Sequence, residues 1–230
     1  MVKKTNETTG YKRKSLWLIA CIGLCLLYSC RSSSQAFGNL DMLEKTVSKQ
    51  PYRTARHYID DGDIALYRRD WKISNKMIAK SGSTPYCHAG LLFWSHKHLM
   101  LLETLQFQGG RCTRMSQQVE MYGGKWDIYH VSNKKYNPSN AVQKMLEIVG
   151  KKYGWFALLK TTLSHVPLLK NKYPVQVKDF LSSGLPYCSM AVSQAVRFGG
   201  VDLCLNRSDV YTEPAHLALA KDTRYRFTLI

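Results

Sequence analysis

Pro186-Tyr187-Cys188-Ser189-Met190-Ala191-Val192-Ser193-Gln194-Ala195-Val196-Arg197-Phe198-Gly199-Gly200 reads as a helix with a marked start and a marked stop. It begins at Pro186-Tyr187-Cys188, and the glycine pair ends it. Ala191, Val192, Ala195 and Val196 recur at helical spacing and form a narrow face of small residues. Such a face lets the helix approach a sheet closely. Cys188 falls in the first turn, where unpaired N–H groups and the positive end of the helix dipole favour a thiolate over a thiol. A nucleophile placed there needs a base across the gap, and His88, at the start of a strand, is the best candidate. Taken singly, a cysteine at a helix start is an ordinary small core residue, and a histidine on a strand is ordinary packing or surface.

Outward from that helix, the strongest pattern is a hairpin. His88-Ala-Gly-Leu-Leu-Phe-Trp94 and Leu99-Met-Leu-Leu-Glu-Thr-Leu105 flank Ser95-His-Lys-His98. Asp60-Asp61-Gly62-Asp63 is a turn leading into a strand over Ile64–Tyr67. Further strands are expected near Cys112–Met115, at Trp126–Val131 and at Tyr225–Ile230. Ser74 suits a cap for a short helix through Met77 and Ile78, and Gly82–Pro85 suits a turn. A helix starts at Asn140, with Val142, Met145, Leu146 and Val149 at helical spacing and Gly150 as its stop. Trp155–Leu163 reads as a buried helix. The fold class is therefore α+β, a small and mainly antiparallel sheet packed against helices.

The 230 residues suffice for one substantial domain, and no repeat or long linker divides them. Charge is the unusual feature: 33 Lys+Arg against 16 Asp+Glu give +17. That balance suits an anionic environment, or simply a solvated basic surface. The tyrosines form no stripe among basic residues, so a stacking platform for nucleic acid is missing. No cysteine pair has C-x-x-C spacing, and His96-x-His98 lacks further ligands, so neither metal nor cofactor is expected. His130 and His165 read as packing residues. Cys112 and Cys204 could pair in an oxidising compartment.

The N-terminus reads as an address. Lys12-Arg13-Lys14 precedes an apolar run from Leu16 to Tyr28, short of the ~20 residues a spanning helix needs. Cys21 and Cys25 lie in this run. Its end, Leu27-Tyr28-Ser29-Cys30, resembles a bacterial lipobox, with Tyr28 in place of the usual small residue. The resemblance implies a signal over residues 1–29, lipidation at Cys30, and a tether over 30–50 that holds the chain to a membrane. Removing residues 1–29 takes away five basic residues and one acid, and leaves +13. Arg31 is not the acidic residue associated with inner-membrane retention, which points to an outer membrane, periplasmic side, in a two-membrane bacterium. The rival reading is an uncleaved N-terminal anchor.

The order of motifs resembles the circularly permuted papain-like cysteine hydrolases, the NlpC-type branch that includes YiiX-like proteins and the lecithin retinol acyltransferase group. Gly62-Asp63-Ile64 matches a Gly-Asp-Ile turn, Cys87-His88-Ala89-Gly90 a Ser-His-Val-Gly strand start, and Tyr187-Cys188-Ser189-Met190-Ala191-Val192 a Tyr-Cys-Ser-Glu-Leu-Val helix start. Cys87 stands where serine is usual and Met190 where an acid is frequent. The resemblance spans roughly residues 60 to 215 and implies one papain-like domain over 51–230. It also implies a third site residue that orients the imidazole. Glu103 is the candidate, its alternative being an exposed glutamate on an edge strand; Asp63 could hold the turn near the site, and Tyr187 could serve an oxyanion pocket.

Three functions follow as expectations. The first is thiol-dependent hydrolysis of an amide or ester in a peptide, with peptidoglycan stem peptides as one substrate. The second turns the same chemistry on a lipid acyl group, as hydrolase or acyltransferase. The third is a non-catalytic lipoprotein that binds an anionic surface. A lipid substrate calls for an apolar groove beside Cys188, a peptide for an open polar cleft.

Overall fold

In the computed structural model, seven strands among the described residues form one sheet in the order β1-β7-β6-β2-β3-β4-β5. The structure describes residues 48–68, 85–154, 157, 186–205 and 207–230. The strands are β1 (Lys49–Gln50), β2 (Ile64–Arg68), β3 (Tyr86–Ser95), β4 (His98–Leu105), β5 (Gly109–Arg114), β6 (Trp126–Val131) and β7 (Thr223–Leu229). All neighbours are antiparallel except β1 and β7, which run parallel at one edge. The class is α+β, as expected, but the sheet is larger than expected and mixed. The signal, Cys30, most of the tether, Ser74, Gly82, Cys21, Cys25 and His165 lie outside the described residues. So does the expected helix over Trp155–Leu163, except Ala157, which is helical.

Helices cover both faces. On one lie α3 (Pro138–Leu146), α4 (Cys188–Phe198) and α5 (Pro214–Leu219); on the other lie α1 (Tyr52–Ala55) and α2 (Met115–Tyr122). Small residues explain why α4 sits so close. Ala191, Val192, Ala195 and Val196 are fully buried among Ile64, Leu66, Ala89, Leu91 and Leu102 of the central strands. Against the opposite face, Met115 and Val119 of α2 pack with Tyr67, Leu92, Leu101 and Trp126. Gly200, at φ +97°, takes the left-handed conformation that stops α4 where the glycine pair was expected to stop it.

Two elements have bounds that differ from expectation. β5 occupies Gly109–Arg114, and Met115 opens α2 instead of closing a strand. α3 begins at Pro138, where the Asn137 side chain accepts from the Asn140 N–H at 3.2 Å. It ends at Leu146, short of Gly150, whose N–H donates to the Gly110 carbonyl at 2.8 Å. The inward stripe is Ala141, Met145 and Ile148, so Leu146 and Val149 are exposed. Gly150 ties the helix to β5 rather than stopping it.

The hairpin of β3 and β4 turns at His96-Lys97, with His96 at φ 54°. Gly90 lies directly opposite Glu103. A Cβ at Gly90 would stand 2.6 Å from Leu101 Cδ1 and 2.8 Å from the Leu102 carbonyl oxygen, so the His-x-Gly spacing serves close approach of two strands. Gly90→Ala is expected to cost about 1–3 kcal/mol through overpacking. Urea denaturation checks this; an unchanged midpoint would refute the close-approach reading.

Candidate active site

His88, Glu103 and Arg111 reach one cleft from three adjacent strands. His88 lies near the start of β3 and Glu103 near the end of β4, one diagonal step apart on the same sheet face. Arg111 of β5 stands directly opposite Glu103 in the ladder. The His88 imidazole meets Glu103 through Nε2 at 2.6 Å. Arg111 donates to the other carboxylate oxygen from Nε at 2.8 Å and lies 2.7 Å from it through Nη2. Glu103 is only 2% exposed, because β5 pairs beyond β4 and removes the edge position. The alternative of an exposed edge glutamate therefore does not hold.

Cys188 enters from the other direction, at the first residue of α4. Its sulfur is hydrogen-bonded to His88 and faces the backbone N–H groups of Ala89 and Ser189. Since Glu103 holds Nε2, Nδ1 is the ring nitrogen left for the thiol. The start of α4 is fastened to residues 209–212. Tyr187 donates its hydroxyl to the carbonyls of Val210 (2.8 Å) and Thr212 (3.0 Å), and Ser189 donates to Thr212 at 2.7 Å. The Tyr187 hydroxyl is thus an anchor for the helix start. Met190 is fully buried in the cluster that includes Tyr153, Tyr187 and Val210, a place with no room for a solvated acid.

The electrostatics describe an ion pair. Burial disfavours the charged forms of both residues, and each charge outweighs that penalty for the other. His88 is pushed up to about 10 against burial by Cys188 and Glu103. The Cys188 thiol is lowered against burial by the His88 charge and by the N–H groups of Ala89 and Ser189. Glu103 is lowered against burial by His88 and Arg111. The shifts favour a thiolate facing an imidazolium, with a carboxylate behind it.

The cleft encloses about 450 Å³. Tyr67, Tyr122 and Trp126 give it an aromatic wall, and Gln106, Gln108 and Arg111 a polar one. Trp126 also sets its ring edgewise to His88, with centroids 6.3 Å apart. Cys87 lines the cleft as a buried thiol, 3.7 Å from the Tyr67 carbonyl oxygen. Cys112 and Cys204 are both unbridged.

Asp63 does not belong to this site. It precedes the far end of β2, four residues before Tyr67, roughly 13 Å along the strand. There it holds the turn by accepting from the Asp60 N–H at 3.0 Å and meeting His130 Nδ1 at 2.8 Å. His130, read as packing, is in fact its partner. Among the described residues, Asp60, Asp63 and His130 are the three whose donor atoms converge closely enough for a cation. Arg226 already occupies that position, 2.6 Å from Asp60 and 3.4 Å from Asp63. Cys188, His88 and Glu103 do not fit one ion either, because the imidazole ring lies between the sulfur and the carboxylate.

Two residues of the cleft escaped the sequence. Arg111 is findable only through strand register: it becomes Glu103's partner once the turn between β4 and β5 is placed at Gln106–Gln108. Tyr153 is buried in the cluster that holds Cys188, hydrogen-bonded to Gln106, and burial raises its phenol well above the usual range. It follows two lysines in no regular element, and no pattern marks it.

No protein-family model matches the chain, and no curated protein matches it. Among solved structures it is similar to the crystal structure of the metalloprotein YiiX from Escherichia coli O157:H7, DUF1105. The TM-score is 0.51 and the identity 16%, over 74% of this chain and 97% of that one. At that identity the likeness is one of fold. Among the described residues, no helix is long and apolar enough to cross a membrane.

Proposed function

We propose that the chain is a thiol-dependent hydrolase of the permuted papain-like, YiiX-like type, with Cys188 as nucleophile, His88 as acid and base, and Glu103 orienting the imidazole. The observation that carries this reading is a single one: His88 stands in one cleft with Cys188 on one side and Glu103 on the other. In the reaction, the Cys188 thiolate forms a bond to the carbonyl carbon of an amide or ester. The electron pair moves to the carbonyl oxygen, in a cleft that Tyr153 also lines. Collapse breaks the bond to the leaving group, which takes the proton from His88. His88, now neutral, accepts a proton from water as water attacks the thioester. Release of the acid returns the thiolate and imidazolium. Arg111 keeps Glu103 ionised throughout. YiiX is described as a metalloprotein; in this chain the three site residues do not converge on one ion, and each step rests on the side chains themselves.

Both substrate readings keep support. The polar wall suits a peptide backbone, including a peptidoglycan stem, and the aromatic wall suits an acyl chain. The N-terminal address supports attachment to a membrane through a lipid at Cys30, in the cell envelope. The deciding experiment incubates wild type and Cys188→Ala with purified cell wall and with phospholipid, followed by product analysis. Release of product from one of them by wild type, and none by the variant, is expected. Equal product from both proteins would sink the assignment of the nucleophile. No product from either, with a thiol that alkylates no faster than free cysteine, would leave a non-catalytic binding protein.

A further inference from the structure

Phe107 is 88% exposed at the tip of the turn between β4 and β5, and Met121 of α2 is 58% exposed. Both line the cleft that holds Cys188, so the two apolar exposures share one mouth. Phe107 adopts φ 68°, a left-handed conformation that a bulky residue avoids and that glycine or asparagine would take easily. An aromatic ring kept in solvent on an unfavourable backbone is unexpected for an idle turn. Charge completes the pattern. Lys151 and Lys152 are exposed, and the Lys151 carbonyl accepts from the Gly110 N–H at 2.8 Å, just beyond that turn. Glu120 of α2 is the exposed acid next to Met121.

We infer that this mouth is a docking face for an anionic lipid bilayer, with Phe107 and Met121 entering the headgroup boundary and Lys151 and Lys152 meeting phosphates. Exposed apolar tips beside lysines suit an interface of that kind, whereas a protein interface core is depleted in lysine. The chain's +17 charge acts in the same direction. The inference goes beyond the hydrolase reading, since it would hold for an inert Cys188.

The test is hydrogen–deuterium exchange on the full chain with vesicles of phosphatidylcholine alone and with added phosphatidylglycerol. Protection is expected at residues 105–109 and 119–122, and only with the anionic lipid. Phe107→Ser should lower vesicle affinity roughly tenfold, and Lys151→Glu with Lys152→Glu roughly fivefold per lysine. Unchanged circular dichroism establishes that the variants fold. Vesicle binding that protects only residues before 48, or that survives Phe107→Ser undiminished, overturns the proposal. Equal protection by a soluble anionic polymer also overturns it, in favour of a simple polyanion site.

Discussion

His88→Ala is expected to slow the alkylation of Cys188 at pH 7 by up to about 30-fold. Burial works against the thiolate, and the His88 charge is the largest influence opposing it. Without the imidazolium, only the Ala89 and Ser189 N–H groups oppose burial, and a thiol near the free value is about 3% thiolate at pH 7. Wild type should alkylate faster than a free thiol at neutral pH, because the His88 charge and the Ala89 and Ser189 N–H groups lower the Cys188 thiol against burial. Hydrolysis should behave differently at the upper end. As pH passes about 10, His88 loses its proton, so the thiolate persists while the acid for the leaving group is gone. Alkylation then stays fast and turnover falls. A wild-type rate that climbs tenfold per pH unit up to about 9, the free-thiol range, would show an ordinary cysteine.

Glu103→Gln should reduce turnover about 100-fold with little change in shape. The carboxylate offers one oxygen to His88 and the other to Arg111. A glutamine has one acceptor oxygen, for which the two donors compete, so the imidazole loses its fixed tautomer. Loss of the negative charge also lowers the His88 pKa, and the upper limb of the turnover profile moves to lower pH. Stability changes with a definite sign. Glu103 has a depressed pKa in the folded chain; its contribution is present above the unfolded value of about 4.3 and is lost as pH falls through the folded value. The variant should be less stable at pH 7 and should lose this part of the acid sensitivity. An unshifted upper limb, read from kcat against pH, would show that Glu103 does not act through His88.

The elements that carry the pair were legible because each has a strong local pattern. The β3–β4 hairpin alternates β-rich residues around a polar turn, β6 lies where Trp126–Val131 put it, and α4 announces itself by small residues and a glycine stop. What stayed hidden depends on pairing between distant segments. α2 starts without a capping side chain and buries only Met115, Gln118 and Val119, so it has little periodicity to read. β1 is two residues long and exists only through β7. The burial of Glu103 follows from β5 lying outside β4, and Arg111's role follows from their register. Asp63 does hold its turn, but strand length puts that turn at the other end of β2 from the cleft.

The parallel pairing of β1 with β7 sets a leash. β1 is one outer strand and β5, with the Phe107 turn, is the other, six strand intervals or roughly 29 Å away. A chain held at Cys30 would reach β1 through about eighteen residues, a contour of roughly 60 Å at most. That length exceeds the width of the sheet. On the proposed lipid anchor, that reach would let the domain roll onto its far edge and present the cleft to the same membrane.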